Sequence, residues 1–266
     1  VRQLLPASDA NDVTADAVYG DLASRRESAD AKPYLILNMV ESVDGAISLD
    51  GLSGGLSSAA DKAVFSYLRS VADIVLVGAS TAREEGYNPP KLPPHRIAER
   101  VARGQQPLPQ IALISASLKL DWSSSLFGVD PERDPQPPRP IVICPEDANP
   151  AALAQAKRVA DVITAGQGRV DISKALTQLH GSGARLVLCE GGPGINGQLL
   201  KADLVDELCL TLSPALVGGV GRRISGSDEP HEAIALQLLT AAEAGGMLLL
   251  RYRVGRGEEP PAARGV

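Results

Sequence analysis

The sequence predicts an α/β protein with a central mixed sheet, mostly parallel, helices on both faces and antiparallel strands at the C-terminal end. Three observations carry this. Short apolar runs and amphipathic segments alternate regularly from Ile141 onward, as in a doubly wound sheet. The runs are built from Val, Leu and Ile in a chain with only 3% aromatic residues, which suits strands buried on both faces. After Leu204 come three apolar runs, Glu207 to Leu212, Ile234 to Ala241 and Met247 to Val254, with no helix long enough to join them in parallel.

The elements follow in order. Residues 1–32 are polar and acidic, with short apolar pairs such as Leu4-Leu5, and are expected to form an arm with at most a turn or two of helix. Tyr34 to Val40 reads as a buried strand after Pro33, and Asp44-Gly45 turns the chain. Val64, Phe65, Leu68 and Val71 are spaced as on an amphipathic helix over Ala59 to Val71, with Ser57-Ser58 as caps and Asp61 in the first turn. Asp73 to Gly78 is the next strand, and a short helix opens at Ala79-Ser80-Thr81 and ends at Gly86. A proline-broken stretch then holds a charged helix between His95 and Gly104, read as an insertion or lid.

Strand Ile111 to Ser115 precedes a second proline cluster, read as a surface excursion. Strand Ile141 to Cys144, helix Ala151 to Val159, strand Val162-Ile163, helix Ile172 to His180, strand Leu186 to Glu190 and a helix through Lys201 complete the alternation. No repeat or linker divides the chain, so one domain is expected over residues 33–256, with a tail at 257–266.

Composition narrows the function. A net charge of −6 argues against a surface built for nucleic acid or anionic lipid. Cys144, Cys189 and Cys209 sit in apolar runs without C-x-x-C spacing and read as buried thiols in a reducing compartment. No apolar run approaches the roughly 18 residues of a membrane span, so no membrane partner and a cytoplasmic location are expected. His95, His180 and His231 are scattered in polar surroundings, and no metal site is expected.

The sharpest motif is Gly192-x-Gly194-x-x-Gly197, which follows an apolar strand and opens a helix. Glycines there let the backbone approach a pyrophosphate, and the helix N-terminus favours its charge. Its late position, without an acidic strand end about 20 residues on, sets it apart from a Rossmann fingerprint. A tight turn that binds nothing is the alternative. Gly78 to Thr81 repeats the strand-to-helix logic, and a helix N-cap explains Ser80-Thr81 as well. Asp44, Asp61, Glu85 and Glu190 stand at strand or helix ends, which converge on one rim of an α/β sheet.

Five motifs in order, Ser42-Val43-Asp44-Gly45, Ser53-Gly54-Gly55-Leu56-Ser57, Gly78 to Tyr87, Glu190 to Pro193 and Leu204 to Leu208, resemble the C-terminal reductase domain of the bifunctional riboflavin-biosynthesis protein RibD. The resemblance implies a dihydrofolate-reductase-like three-layer fold, a homodimer, and NADPH-dependent reduction of the ribosyl group of a phosphoribosylamino-pyrimidine. It assigns Val40, Thr81, Glu85, Ser115 and the turn Gly192, Pro193, Gly194, Ile195, Asn196, Gly197 and Gln198 to NADPH. Ser53, Arg69 and Glu190 are assigned to the substrate, and Asp61 and Glu190 are the candidate catalytic carboxylates. There are two departures. These residues carry no H-x-E with P-C-x-x-C signature of a deaminase domain, and Gly86-Tyr87-Asn88-Pro89-Pro90-Lys91 replaces an Asp-Asp-Pro stretch that leads to a phosphate-binding arginine. Dihydrofolate-type reduction of a pterin, or nucleotide binding without catalysis, are the competing functions.

Overall fold

The computed structural model describes residues 2–5, 14–26, 32–226 and 233–255. The strands are β1 (Arg2–Leu5), β2 (Tyr34–Ser42), β3 (Ile74–Gly78), β4 (Gln110–Ile114), β5 (Ile141–Cys144), β6 (Asp161–Thr164), β7 (Leu186–Cys189), β8 (Glu207–Ser213), β9 (Leu236–Ala244) and β10 (Met247–Val254). The helices are α1 (Ala15–Tyr19), α2 (Ala59–Val71), α3 (Ala79–Glu84), α4 (Pro94–Ala102), α5 (Pro150–Val159), α6 (Ile172–Gly181) and α7 (Pro193–Lys201), with 3-10 turns at Gly20–Arg26 and Ser53–Gly55. Most boundaries fall within a residue or two of those expected, because apolar runs and caps coincide. Ser58 Oγ, for example, accepts the amides of Ala60 and Asp61 at the start of α2, and Asp171 accepts that of Lys174 in α6.

The chain forms two compact units that interleave in sequence, one of residues 1–20, 35–65 and 193–266 and the other of residues 21–34 and 66–192. A single domain was expected from the missing linker; the segments of each unit are discontinuous in sequence, and no composition shift marks where one unit gives way to the other.

In the first unit β1, β9, β10 and β8 pair antiparallel, and β8 runs parallel to β2 with Val40 opposite Thr211. The expected arm is therefore partly sheet and partly helix. Arg2–Leu5 pairs with β9, and α1 buries Val18 and Tyr19. Buried Arg251 fastens this segment: it donates to the Val18 carbonyl at 2.9 Å, pairs with buried Glu207 at 2.9 Å, and lies over the Tyr19 ring. An isolated cation at that position would be costly, so both partners are fixtures. At the end of β2, Asp44 accepts the Ser42 hydroxyl and the amides of Val217 and Gly218, which pulls its carboxyl down to about 2.

In the second unit β7, β3, β4, β5 and β6 are all parallel, and every residue of β3 is buried. This is the two-sided burial that the Val/Leu/Ile runs require, each such side chain contributing about 1.5–3 kcal/mol. Asp73, just before β3, gathers Arg26 through two bonds, Gln105, and the amides of Arg185 and Leu186. Burial raises its carboxyl, but these donors outweigh burial and hold it below the usual range.

The charged helix expected as an insertion or lid buttresses α2. Arg100 of α4 is buried and donates to the carbonyls of Ser70 and Ala72 at 3.1 and 2.6 Å, closing the last turn of α2. The three cysteines are free and buried as expected, and burial pushes the Cys189 thiol up to about 12. Among the described residues no helix is long and apolar enough to cross a membrane. His231 and the tail 257–266 lie outside the described residues.

Candidate active site

In the second unit two of the expected residues meet directly. Arg69, in the last turn of α2, donates from Nε to Glu190 Oε1 and from Nη2 to Oε2, both at 2.7 Å. Glu190 directly follows β7, and its amide bonds the Leu76 carbonyl of β3, so the strand edge fixes where the carboxylate stands. Tyr87 completes the group. Its hydroxyl donates to Glu190 Oε2 at 2.5 Å, and its ring lies under the Arg69 guanidinium, 5.3 Å from centroid to Cζ. Burial works against the Arg69 charge, but the facing Glu190 carboxylate raises the guanidinium above its ordinary value. Burial, then the Glu190 charge, raise Tyr87 well above an ordinary phenol, so it remains a donor at neutral pH.

Motif reasoning assigned no role to Tyr87. The available signal was a tyrosine inside a Gly/Asn/Pro turn in a chain poor in aromatics, where a half-buried ring calls for a specific partner. Gly86, at φ 63°, makes the bend that turns Tyr87 back. Lys91, the cation nearest the missing arginine, is exposed.

The same unit holds part of the set that the sequence resemblance assigns to the cofactor. Gly78, not Ser80 or Thr81, is the N-cap of α3 and makes no side-chain cap bond, so capping does not account for those hydroxyl residues. Thr81 packs against Gly192: a Cβ there would strike Thr81 Oγ1. The Gly78 amide donates to the Gly191 carbonyl at 2.8 Å, tying the two strand-to-helix junctions together, and the Gly191–Gly192 peptide is cis. Glu85 is the C-cap of α3, its amide bonded to the Thr81 carbonyl at 2.9 Å. Ser115 is buried at the end of β4, its amide on the Ile143 carbonyl.

In the first unit, Pro193 to Gln198 form the opening turns of α7, which have no acid in the first turn. The three motif glycines divide the work. A Cβ at Gly197 would strike the Gly226 carbonyl and one at Gly192 the Thr81 hydroxyl, so both are packing glycines, whereas nothing lies within 4 Å of a Cβ at Gly194. A helix start with open space at its second residue and no competing carboxylate fits a dinucleotide phosphate. Asn196 is turned inward, donating to the Ile224 carbonyl at 2.7 Å, while Gln198 is exposed and reaches back to the Gly194 carbonyl. Val40 lies half-buried on β2, and Ser53 opens its 3-10 turn. Asp61 is buried in the first turn of α2, accepting the Ser57 hydroxyl at 2.6 Å. Among the described residues no cluster of His, Cys, Asp or Glu is arranged to hold a metal.

Comparison with known proteins bears on what these clusters serve. The RibD C-terminal domain family matches residues 33–250. The chain belongs to that family. Its RibD-domain relatives include the 2,5-diamino-6-ribosylamino-4(3H)-pyrimidinone 5′-phosphate reductase of Methanothermobacter thermautotrophicus, 31% identical over 84% of this chain and 99% of the relative. The reductase of the same name from Aquifex aeolicus is 30% identical over 71% of this chain and 80% of its own length. Among solved structures, a pyrimidine reductase-like protein of Corynebacterium diphtheriae superposes with a TM-score of 0.78 at 30% identity, over 92% of this chain and all of that one. The riboflavin biosynthesis reductase Rib7 of Saccharomyces cerevisiae shares the fold, with a TM-score of 0.64 at 19% identity over 90% of this chain and all of that one. The fold class is the dihydrofolate-reductase-like one expected, and a reductase family of this kind implies a nicotinamide cofactor.

Proposed function

We propose that the protein is an NADPH-dependent reductase of a ribosylamino-pyrimidine 5′-phosphate, the substrate class for which its curated relatives are named. The observation that carries this is the 31% identity across 99% of the Methanothermobacter reductase, with Arg69 and Glu190 brought together at a strand edge. The diamino-pyrimidinone of the relatives' names is the proposed substrate. Residues 33–256 are the proposed reductase domain, acting as a cytoplasmic homodimer, with residues 1–32 preceding it and 257–266 as a tail.

The chemistry balances as one hydride and one proton. Opening of the ribosylamine breaks C1′–O4′ and leaves a C1′=N bond; hydride adds to C1′, and the proton goes to O4′. NADPH, when bound, would supply that hydride. The amides at the start of α7, with Val40, Thr81, Glu85 and Ser115, would hold that cofactor. Glu190 is a positioning residue rather than a proton donor, because both its oxygens already accept from Arg69 or Tyr87. Its part is to hold Arg69 toward the substrate, with Ser53. Asp61, steadied by Ser57, is the carboxylate left to bond the amino-pyrimidine edge and steer the proton.

The test follows NADPH oxidation at 340 nm with the diamino-pyrimidinone phosphate, the corresponding amino-uracil phosphate and dihydrofolate side by side, identifying the product by mass. Turnover of a ribosylamino-pyrimidine to its ribityl product is expected. Turnover of dihydrofolate alone would reassign the protein to pterin reduction, and NADPH binding without oxidation of any of the three would leave a nucleotide-binding protein.

A further inference from the structure

We infer that Arg133 and Ser125, on the loop between β4 and β5, are positioning residues that set Tyr87 against Glu190 by gripping the turn that carries it. The inference deepens the function proposed above and rests on Arg69, Glu190 and Tyr87 lying at the substrate's site.

The turn is not held by its own backbone alone. Pro89 and Pro90 bring no backbone amide, which leaves the stretch after Asn88 short of the donors that close an ordinary turn. Its front half is fastened from within: the Tyr87 amide donates to the Ala82 carbonyl at 2.8 Å, and Asn88 Nδ2 donates to the Gly86 carbonyl at 2.7 Å. Its back half is fastened from outside. Ser125 donates its hydroxyl to Asn88 Oδ1 at 2.5 Å, and Arg133 Nη2 donates to the carbonyl of buried Pro90. Asn88 is thus the joint between the halves, its amide on the turn and its oxygen on the loop.

The loop, residues 115–140, is folded so as to supply those donors. Leu126 and Phe127 are buried and anchor its first half, with the Trp122 ring 5.0 Å from that of Phe127. Asp121 accepts the amide and the hydroxyl of Ser123 at 3.0 and 2.6 Å, a local turn that precedes Ser125. In the second half Gln136 closes a turn around Arg133 by donating to the carbonyls of Asp130 and Arg133 at 2.7 and 2.5 Å. The half-buried guanidinium of Arg133 then meets the Pro90 carbonyl as a charged donor, which makes a stronger bond than a neutral one.

What the grip controls is the tyrosine. Tyr87 directly precedes Asn88, and its hydroxyl reaches Glu190 Oε2 at 2.5 Å, so a small swing of the turn takes that bond out of range. Glu190 in turn holds Arg69 through two bonds of 2.7 Å, and the aim of the guanidinium passes back through Tyr87 to the loop.

The test takes Arg133→Ala, Arg133→Lys and Ser125→Ala, each alone and combined with Tyr87→Phe, with Glu132→Ala as a control in the same loop. After melting curves establish folding, NADPH oxidation with the diamino-pyrimidinone phosphate is followed and NADPH affinity is measured by calorimetry. Trp122, the chain's one tryptophan, reports the loop through acrylamide quenching. Arg133→Ala should lower kcat/KM about fivefold or more, the scale of one lost hydrogen bond, and Ser125→Ala should act in the same direction. Arg133→Lys should recover most of the loss, because an ammonium also donates to a carbonyl. In Tyr87→Phe, where no hydroxyl is left to misplace, Arg133→Ala should cost less than about twofold. NADPH affinity should stay within about twofold, Glu132→Ala should match wild type, and quenching of Trp122 should rise in Arg133→Ala.

Equal losses with and without the Tyr87 hydroxyl, or no loss at all, overturn the inference while the reductase reading stands. Unaltered kinetics in Tyr87→Phe alone remove this group from the substrate's site, and a wild-type chain that turns over no ribosylamino-pyrimidine phosphate overturns the proposed function. Either of these results takes the inference with it.

Discussion

Arg69 and Glu190 stand 121 residues apart in sequence, yet they meet through two bonds of 2.7 Å, with side chains only 15% and 3% exposed. One ends a helix and the other ends a strand, so the pair records the geometry of two elements at once. A bidentate, nearly buried ion pair tolerates little displacement, and removing one partner leaves the other charged in a poor solvent.

Glu190→Gln keeps the shape and removes the charge. It should cost about 3 kcal/mol of stability and lower kcat/KM by at least about tenfold. Tyr87→Phe removes one bond and should cost about 1 kcal/mol. Urea melts and steady-state kinetics check both, and unchanged kinetics in Glu190→Gln would remove the pair from the substrate's site.

A Cβ at Gly194 would have no atom within 4 Å, so Gly194→Val should fold like wild type and lose NADPH binding. Gly192→Val presses on Thr81 and should lower the melting temperature as well. Calorimetric titration beside thermal melts separates the two. Normal affinity in Gly194→Val would make this turn a structural one.

Asp61→Asn should lower kcat by about tenfold or more, the scale of acid–base assistance, with NADPH affinity held. An unaltered kcat would leave Asp61 as a first-turn helix charge bonded to Ser57.

Acid should act through Asp73. Its folded pKa lies below the unfolded value of about 3.9, so its stabilisation is complete above that value and is lost as pH falls through the folded one. Asp73→Asn should therefore flatten the fall in melting temperature between about pH 5 and pH 2. Asp44, pulled to about 2, adds to the same fall and accounts for what slope remains in the variant.

Much of this was legible in the chain. Helix α2 was expected over Ala59–Val71, where it lies, because Val64, Leu68 and Val71 repeat at helical spacing and Ser58 caps them. The strands of the second unit were legible because burial on both faces leaves unbroken apolar runs. Strand β1 was not, since its pairing partner lies more than 230 residues away and a four-residue edge strand carries no periodicity. Helix α1 fits the turn or two of helix expected in the arm, but its anchor was not legible: Arg251 donates to the Val18 carbonyl, and a bond across the fold leaves no local pattern. In the candidate site, the glycine motif was visible but its division of labour was not, because which glycine is crowded depends on Thr81 and Gly226. Tyr87 acquires meaning only once Glu190 is beside it.

Arg100 gives the proline-rich stretch a different standing. The carbonyls at the end of α2 would otherwise be satisfied by water, and a guanidinium from α4 replaces it. The arginine that faces Glu190 therefore hangs from a helix end whose order is borrowed from a segment outside the reaction. Loosening α4 should blur the aim of Arg69 while the sheet stays intact, so catalysis would fade on warming before the molecule melts.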